Sequence, residues 1–206
     1  FTGNCNLPVC EYIDYSAFRY SVFTGVFECP NLQTVGNYAF ERSQFNGVFN
    51  CPNLQTVGID AFRYSVFTGT FKCPNLQTVG ISAFYDSKFT GDFNCPNLQA
   101  VGGGAFKYSV FTGTFKCPNL QTVGSYNAFY NSVFTGTFNC PNLQTVGDYA
   151  FFNSQFDGAF ECPNLQTVGN YAFLKSNFDE ITIGANATLG TGCIGAHSAE
   201  FINDYA

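Results

Sequence analysis

Residues 51–72 read CPNLQTVGIDAFRYSVFTGTFK, and the octet that opens them, CPNLQTVG, occurs six times without change, at Cys29, Cys51, Cys73, Cys117, Cys140 and Cys162. A further copy at Cys95 differs only at Ala100. The cysteines stand 22 residues apart except for one step of 23, which puts an extra residue at Asn127 or a neighbour. Such a period predicts a solenoid in which each repeat is one coil lying on the next. Within a coil the strict alternation of Ser65, Phe67, Gly69, Phe71 and Cys73 against Val66, Thr68, Thr70 and Lys72 predicts a half-buried strand over 65–73. Pro74 and Asn75 predict a turn, and residues 76–79 a second short extended stretch closed by Gly80. The Ala61-Phe62 pair is expected on a brief helical or 3₁₀ turn that drives its ring inward. The fold class expected is an all-β-rich solenoid, a right-handed stack of about eight coils with short turns. It divides into a degenerate N-terminal coil (1–28), the tandem repeats (29–177) and a C-terminal capping or docking segment (178–206).

Composition narrows the function. There is no Met in the 206 residues, so residue 1 is not a translation start. A removed secretory signal peptide accounts for this, with a fragment of a longer chain as the alternative; the expected location is extracellular or at the cell surface. No apolar run approaches the length that would span a bilayer, so membrane insertion is not expected. The net charge of -6 and eight scattered basic residues disfavour nucleic acid, which needs clustered cations.

Seven of the ten cysteines occupy one repeat column. Equivalent residues of stacked coils lie about 4.8 Å apart with parallel side chains, whereas a disulfide needs converging Cβ atoms. The column therefore reads as a ladder of buried free thiols. Outside it stand Cys5, Cys10 and Cys193. Either Cys5 and Cys10 form a disulfide staple on the first coil, or Cys10 begins the ladder in a degenerate repeat.

The Phe, Leu, Val and Ala columns are expected to share one interior, with Phe rings stacked along the axis. The Asn column (Asn31, Asn53, Asn75, Asn97, Asn119, Asn142, Asn164) reads as a hydrogen-bonded ladder holding turns in register. The strand glycine (Gly69 and equivalents), set between two inward Phe, is expected to leave room for those rings or to allow a bulge. The position before each ladder cysteine reads Glu28, Asn50, Lys72, Asn94, Lys116, Asn139, Glu161. A neutral Asn separates every charged rung, as in-register stacking would favour.

The pattern Cys29-x-x-Leu32-x-x-Val35-Gly36-x-x-Ala39-Phe40, repeated in each later coil, resembles the BspA-type leucine-rich repeats of microbial and protist surfaces, shortened here to 22 residues. Residues 178–190 resemble the family's I-T-I-P stretch, with Gly184 where Pro is usual, and Ser43 and Ser65 stand where the family often has a second Cys. The abundance of Phe and the short coil point to a flatter, straighter stack than a horseshoe with helices. The resemblance implies an extracellular protein that binds protein or matrix, with no catalytic residues to carry over.

No site for chemistry emerges. His197 is the sole histidine. No spacing suits a metal, and the acidic residues change column from coil to coil. The chain is expected to be no enzyme and to need no cofactor. The best candidate partner surface is the outward aromatic and basic set Arg19, Tyr20, Arg63, Tyr64, Tyr85, Lys107, Tyr108 and Tyr130. Phe1, Phe201, Ile202 and Tyr205 leave the ends apolar, either folded back as caps or docked on another copy, which would build a filament. Asn186 heads the only N-glycosylation sequon. Three outcomes follow: a structural protein that self-associates into a fibre or surface layer, a surface adhesin binding a protein or glycan, and, as a minor alternative, an ice-binding protein through Thr-Gly-Thr at 68–70, 112–114 and 135–137.

Overall fold

A chain that must turn a full circle in 22 residues has room only for short extended pieces, and each regular coil has three. In the coil that opens at Cys51 they are Thr56–Val57, Val66–Phe67 and Phe71–Lys72. The computed structural model describes residues 3–157, 160–178 and 181–194, and these form a parallel β-solenoid of about eight turns without a helix among them. The strands build three parallel sheets along its length. Sheet 1 holds nine strands of the Phe71–Lys72 kind, sheet 2 nine of the Thr56–Val57 kind and sheet 3 seven of the Val66–Phe67 kind. Every pairing joins equivalent positions, such as Phe71 with Phe93 and Val79 with Val101. The column before the ladder cysteines pairs as expected, Glu28 on Asn50 on Lys72, and Asn50 Nδ2 donates to Glu28 Oε1 at 3.3 Å.

The strand expected over 65–73 is two strands. It bends at Thr68–Thr70, so Val66–Phe67 and Phe71–Lys72 belong to different sheets. Side chains still alternate in and out around the bend, which is why the sequence reads as one strand. Gly69 makes the bend possible, for a different reason from ring packing. A Cβ on Gly69 would lie 2.3 Å from the carbonyl oxygen of Gly47, and one on Gly47 as close to that of Gly25. The glycines stack backbone against backbone, and no side chain fits between.

The Ala-Phe segment is also not helical. Between Gly80 and Ser87 two residues are left-handed, Ser82 (φ 53°) and Asp86 (φ 51°), and the same two positions are left-handed in the other coils. Three amides close turns within the coil: Ala83 N–H to Gly80 O, Tyr85 to Ser82 and Ser87 to Phe84. The three that alternate with them donate to the next coil: Ser82 N–H to Gly103 O, Phe84 to Ala105 at 2.7 Å, and Asp86 to Lys107. The segment thus turns and joins coils at once, leaving few buried polar groups without partners.

The interior consists of columns. Phe62, Phe67 and Phe71 are fully buried, as are their equivalents in the interior coils, while Phe18 in the first coil is half-buried. Within a column rings stack in parallel, Phe67 on Phe89 at 4.8 Å and 1°. Between columns they meet edge to face, Phe67 with Phe71 at 5.5 Å and 90°. Both are favoured arrangements of the aromatic quadrupole. The one buried polar column is serine. Ser65 Oγ donates to Phe40 O at 2.8 Å, Ser87 to Phe62 at 2.7 Å and Ser109 to Phe84 at 2.6 Å, each to the preceding coil. The Asn column holds the Pro turns, with Nδ2 of Asn53 donating to Pro30 O at 2.8 Å and that of Asn97 to Asn75 Oδ1 at 3.3 Å.

All ten cysteines are free thiols, Cys5 and Cys10 included, so no staple joins that pair. Nor does Cys10 begin the ladder. Pairing of Cys5 with Phe27 puts Cys5 in a Phe column, Leu7 in the Cys column and Cys10 in the Leu column. Burial pushes the Cys73, Cys117 and Cys140 thiols well up, helped by the neighbouring thiols. Cys29 is pushed up to about 12, by burial first and by Cys10 next.

Candidate interaction surfaces

The outward aromatic and basic residues lie on the left-handed turns, in two adjacent columns. One runs Arg19, Glu41, Arg63, Tyr85, Lys107, Tyr130, Phe152; the other Tyr20, Arg42, Tyr64, Asp86, Tyr108. The structure brings the predicted set together as a continuous ribbon. The Arg42 guanidinium lies 4.5 Å from the Tyr64 ring centre, Arg63 5.1 Å from Tyr85, and Lys107 4.8 Å from Tyr130. Tyr64, Tyr85, Tyr108 and Tyr130 meet edge to face in succession at 5.5–5.7 Å. Arg19 pairs with Glu41 at 2.7 Å and Arg63 with Asp60 at 3.7 Å. Burial raises the Asp60 carboxyl, and that carboxylate in turn raises the Tyr38 phenol. Cations and rings here mostly engage each other. The ribbon zips neighbouring coils together, and its members have partners before any ligand arrives.

A second surface was not singled out from the sequence. Asn-x-Gln-Thr, from the octet, faces outward on and beside sheet 2. The Gln column (Gln33, Gln55, Gln77, Gln99, Gln121, Gln144, Gln166) is exposed throughout, and among the described residues no hydrogen bond engages its side chains. The Asn column beside it is exposed too. Threonine fills the next column except at Ala100 and stacks in register, Thr56 on Thr34 and Thr78 on Thr56. Gln77, Asn97, Gln99, Asn119, Gln121, Asn142 and Gln144 line a shallow trough of about 300 Å³ along the axis. Between Asn31 and Thr167 these three columns contain no charged residue. The sequence carried a signal for this surface. Asn and Gln are identical in all seven octets, while outward columns such as that of Glu41, Arg63, Tyr85 and Lys107 change in nearly every coil. Buried columns are uniform because packing demands it; an exposed Gln is not so constrained.

The Thr-Gly-Thr corners lie at the bend between sheets 3 and 1, and their two threonine columns are interrupted, the first at Asn46 and Asp157 and the second at Val48, Asp92 and Ala159. Asn186 is exposed in the last described coil. Phe1, Phe201, Ile202, Tyr205 and His197 lie outside the described residues. Among the described residues no cluster of three or more His, Cys, Asp or Glu could hold a metal, and no helix is long and apolar enough to cross a membrane.

A search of curated proteins returns no match. The family model of the BspA type leucine rich repeat region matches residues 11–134 and 77–198, in six copies. With the 22-residue register, the Cys, Leu and Ala-Phe columns and the stacked parallel coils, this chain belongs to the BspA-type leucine-rich repeat family.

Proposed function

We propose that this chain is a non-catalytic extracellular repeat protein that works by surface contact, as an adhesin that lays one long uniform face against a partner. The observation that carries this reading is the exposed Asn-Gln-Thr strip, uniform across coils whose other outward positions diverge. Family membership supports a repeat protein of the surface-associated kind. Among the described residues the solenoid offers long faces rather than a cavity with converging acid, base or nucleophile, the arrangement catalysis needs. Labelled protein applied to cell-surface and extracellular-matrix preparations should be retained saturably. A variant with Gln99→Ala, Gln121→Ala and Gln144→Ala should be retained less; absence of saturable retention on every surface would refute the adhesin reading.

A second reading is self-association into a fibre or surface layer. Its support is that the outermost described strands, Cys5–Asn6 and Ile181–Ile183, hold the same in-register places as interior ones, so another copy could continue the stack heterologously. Electron microscopy of concentrated protein tests it. Regular fibres, lost on Phe201→Asp with Ile202→Asp, are the expected result for end docking, and discrete rods would exclude it.

A further inference from the structure

We propose that the Asn-Gln-Thr strip is a binding site for a linear, uncharged polysaccharide lying along the solenoid axis. This rests on the contact reading above and names its ligand class.

Four observations select that ligand. First, the Gln carboxamides carry both donors and an acceptor and have no partner among the described residues, so they are free for a ligand. In the exposed Asn column, Asn31, Asn53 and Asn164 spend Nδ2 on a Pro carbonyl, and Asn97 donates to Asn75 Oδ1. Amides and threonine hydroxyls suit sugar hydroxyls, which also donate and accept. Second, the strip holds no charge to pair with a basic or an acidic polymer, and the chain's net charge of -6 further repels the acidic one.

Third, seven rungs, identical in Asn and Gln and differing only at Ala100, repeat every ~4.8 Å. A globular protein surface has no translational repeat and would not hold seven rungs to one composition. A homopolymer does, and one hexose unit of an extended glycan has a length of the same order as one rung. Many weak contacts on one polymer then add as linked sites do. Fourth, area argues against a second copy of this chain. A strip four residues wide, Asn-x-Gln-Thr, and about 30 Å long offers about 400 Å², below the ~800 Å² per partner of a stable interface. The trough between the Asn and Gln columns suits a chain lying in it better than a flat crystal face.

The test is retention of the purified chain on microcrystalline cellulose, chitin and curdlan, with polygalacturonate as the charged counterpart. The expected result is saturable retention on at least one neutral polymer. It should fall roughly tenfold or more in the Gln99→Ala, Gln121→Ala, Gln144→Ala variant and be unchanged in Tyr108→Ala on the turn ribbon. Circular dichroism and melting establish that the variants keep the fold; Gln121→Lys, which blocks the trough by bulk and charge, is the second probe. Retention unchanged in both strip variants, no retention on any neutral polymer, equal retention on polygalacturonate, or thermal hysteresis of ice without polymer retention would each overturn the inference. Matrix preparations separate this from the broader reading. Binding abolished by protease and untouched by periodate would sink the glycan and leave the adhesin standing.

Discussion

At Gly69 one methyl group decides whether two coils can touch. Its Cβ would sit 2.3 Å from the Gly47 carbonyl oxygen, a backbone atom that cannot rotate away, so Gly69→Ala should cost roughly 3 kcal/mol as measured by urea unfolding. Gly104→Ala is the contrast. Its nearest neighbour is Ser82 Oγ at 3.3 Å, a side-chain hydroxyl that can shift by a few tenths of an ångström, and the main penalty is the left-handed backbone (φ 63°). That should cost about 1 kcal/mol, and equal losses at both sites would contradict the backbone-contact account. The serine column invites a milder test. Ser87 Oγ donates to Phe62 O, which also accepts from Ser65 N–H. Ser87→Ala removes one of two donors, for an expected loss of about 1 kcal/mol. The sequence placed Gly69 and Ser65 on the inward side correctly. It concealed their tasks, because each depends on an atom about one coil away, and spacing alone does not say which atoms meet.

The turn between sheets 2 and 3 is where reading the sequence failed most, and the cause is physical. Left-handed residues are usually betrayed by Gly, Asn or Asp. Here the two positions hold Tyr38, Arg42, Tyr64, Tyr108 and Lys175 in some coils, and Asp60, Asp86, Gly104, Asn131, Asn153 and Gly192 give the conformation away at scattered rungs rather than at both positions of every coil. Bulky side chains accept the strain because the alternate amides are locked to the next coil and the side chains are locked to each other. The ribbon should therefore show coupling. A double-mutant cycle of Arg42→Ala with Tyr64→Leu is expected to give about 0.5–1 kcal/mol of interaction in equilibrium unfolding, and additivity of the two losses would mean that the 4.5 Å approach contributes nothing. The same zipping explains why a surface legible from composition as aromatic and basic is a weaker binding candidate than the uncharged strip. Its attraction is largely spent within the chain.

On the scale of the whole molecule, the period alone dictated the stack, since each coil meets equivalents of itself on both sides. The thiol ladder follows and has a pH signature. Burial holds Cys51, Cys73, Cys117 and Cys140 far above their ordinary pKa of 9.0 in the fold, so they stay protonated there and ionise only on unfolding. A raised folded pKa gives stability that is complete below the unfolded value and lost as pH climbs past it. Each such thiol should remove about 1.4 kcal/mol per pH unit above roughly pH 9. Unfolding free energy followed from pH 7 to 10 should be level and then fall steeply, and Cys117→Ser should lessen the slope. A level profile to pH 10 would mean that the ladder ionises in place. At pH 8, mass spectrometry after brief iodoacetamide treatment should find Cys10, half-buried, alkylated before any of Cys51 to Cys162. The 23-residue step has a different consequence. Tyr126 and Asn127 are both left-handed, Tyr126 is 81% exposed, and Val110 still pairs with Val133 across the extra residue. The surplus is discharged entirely outward, so this corner is a natural splice point. A short polar loop grafted between Tyr126 and Asn127 should leave the melting temperature close to that of the parent, and the lineage could have lengthened the chain there without disturbing a single rung.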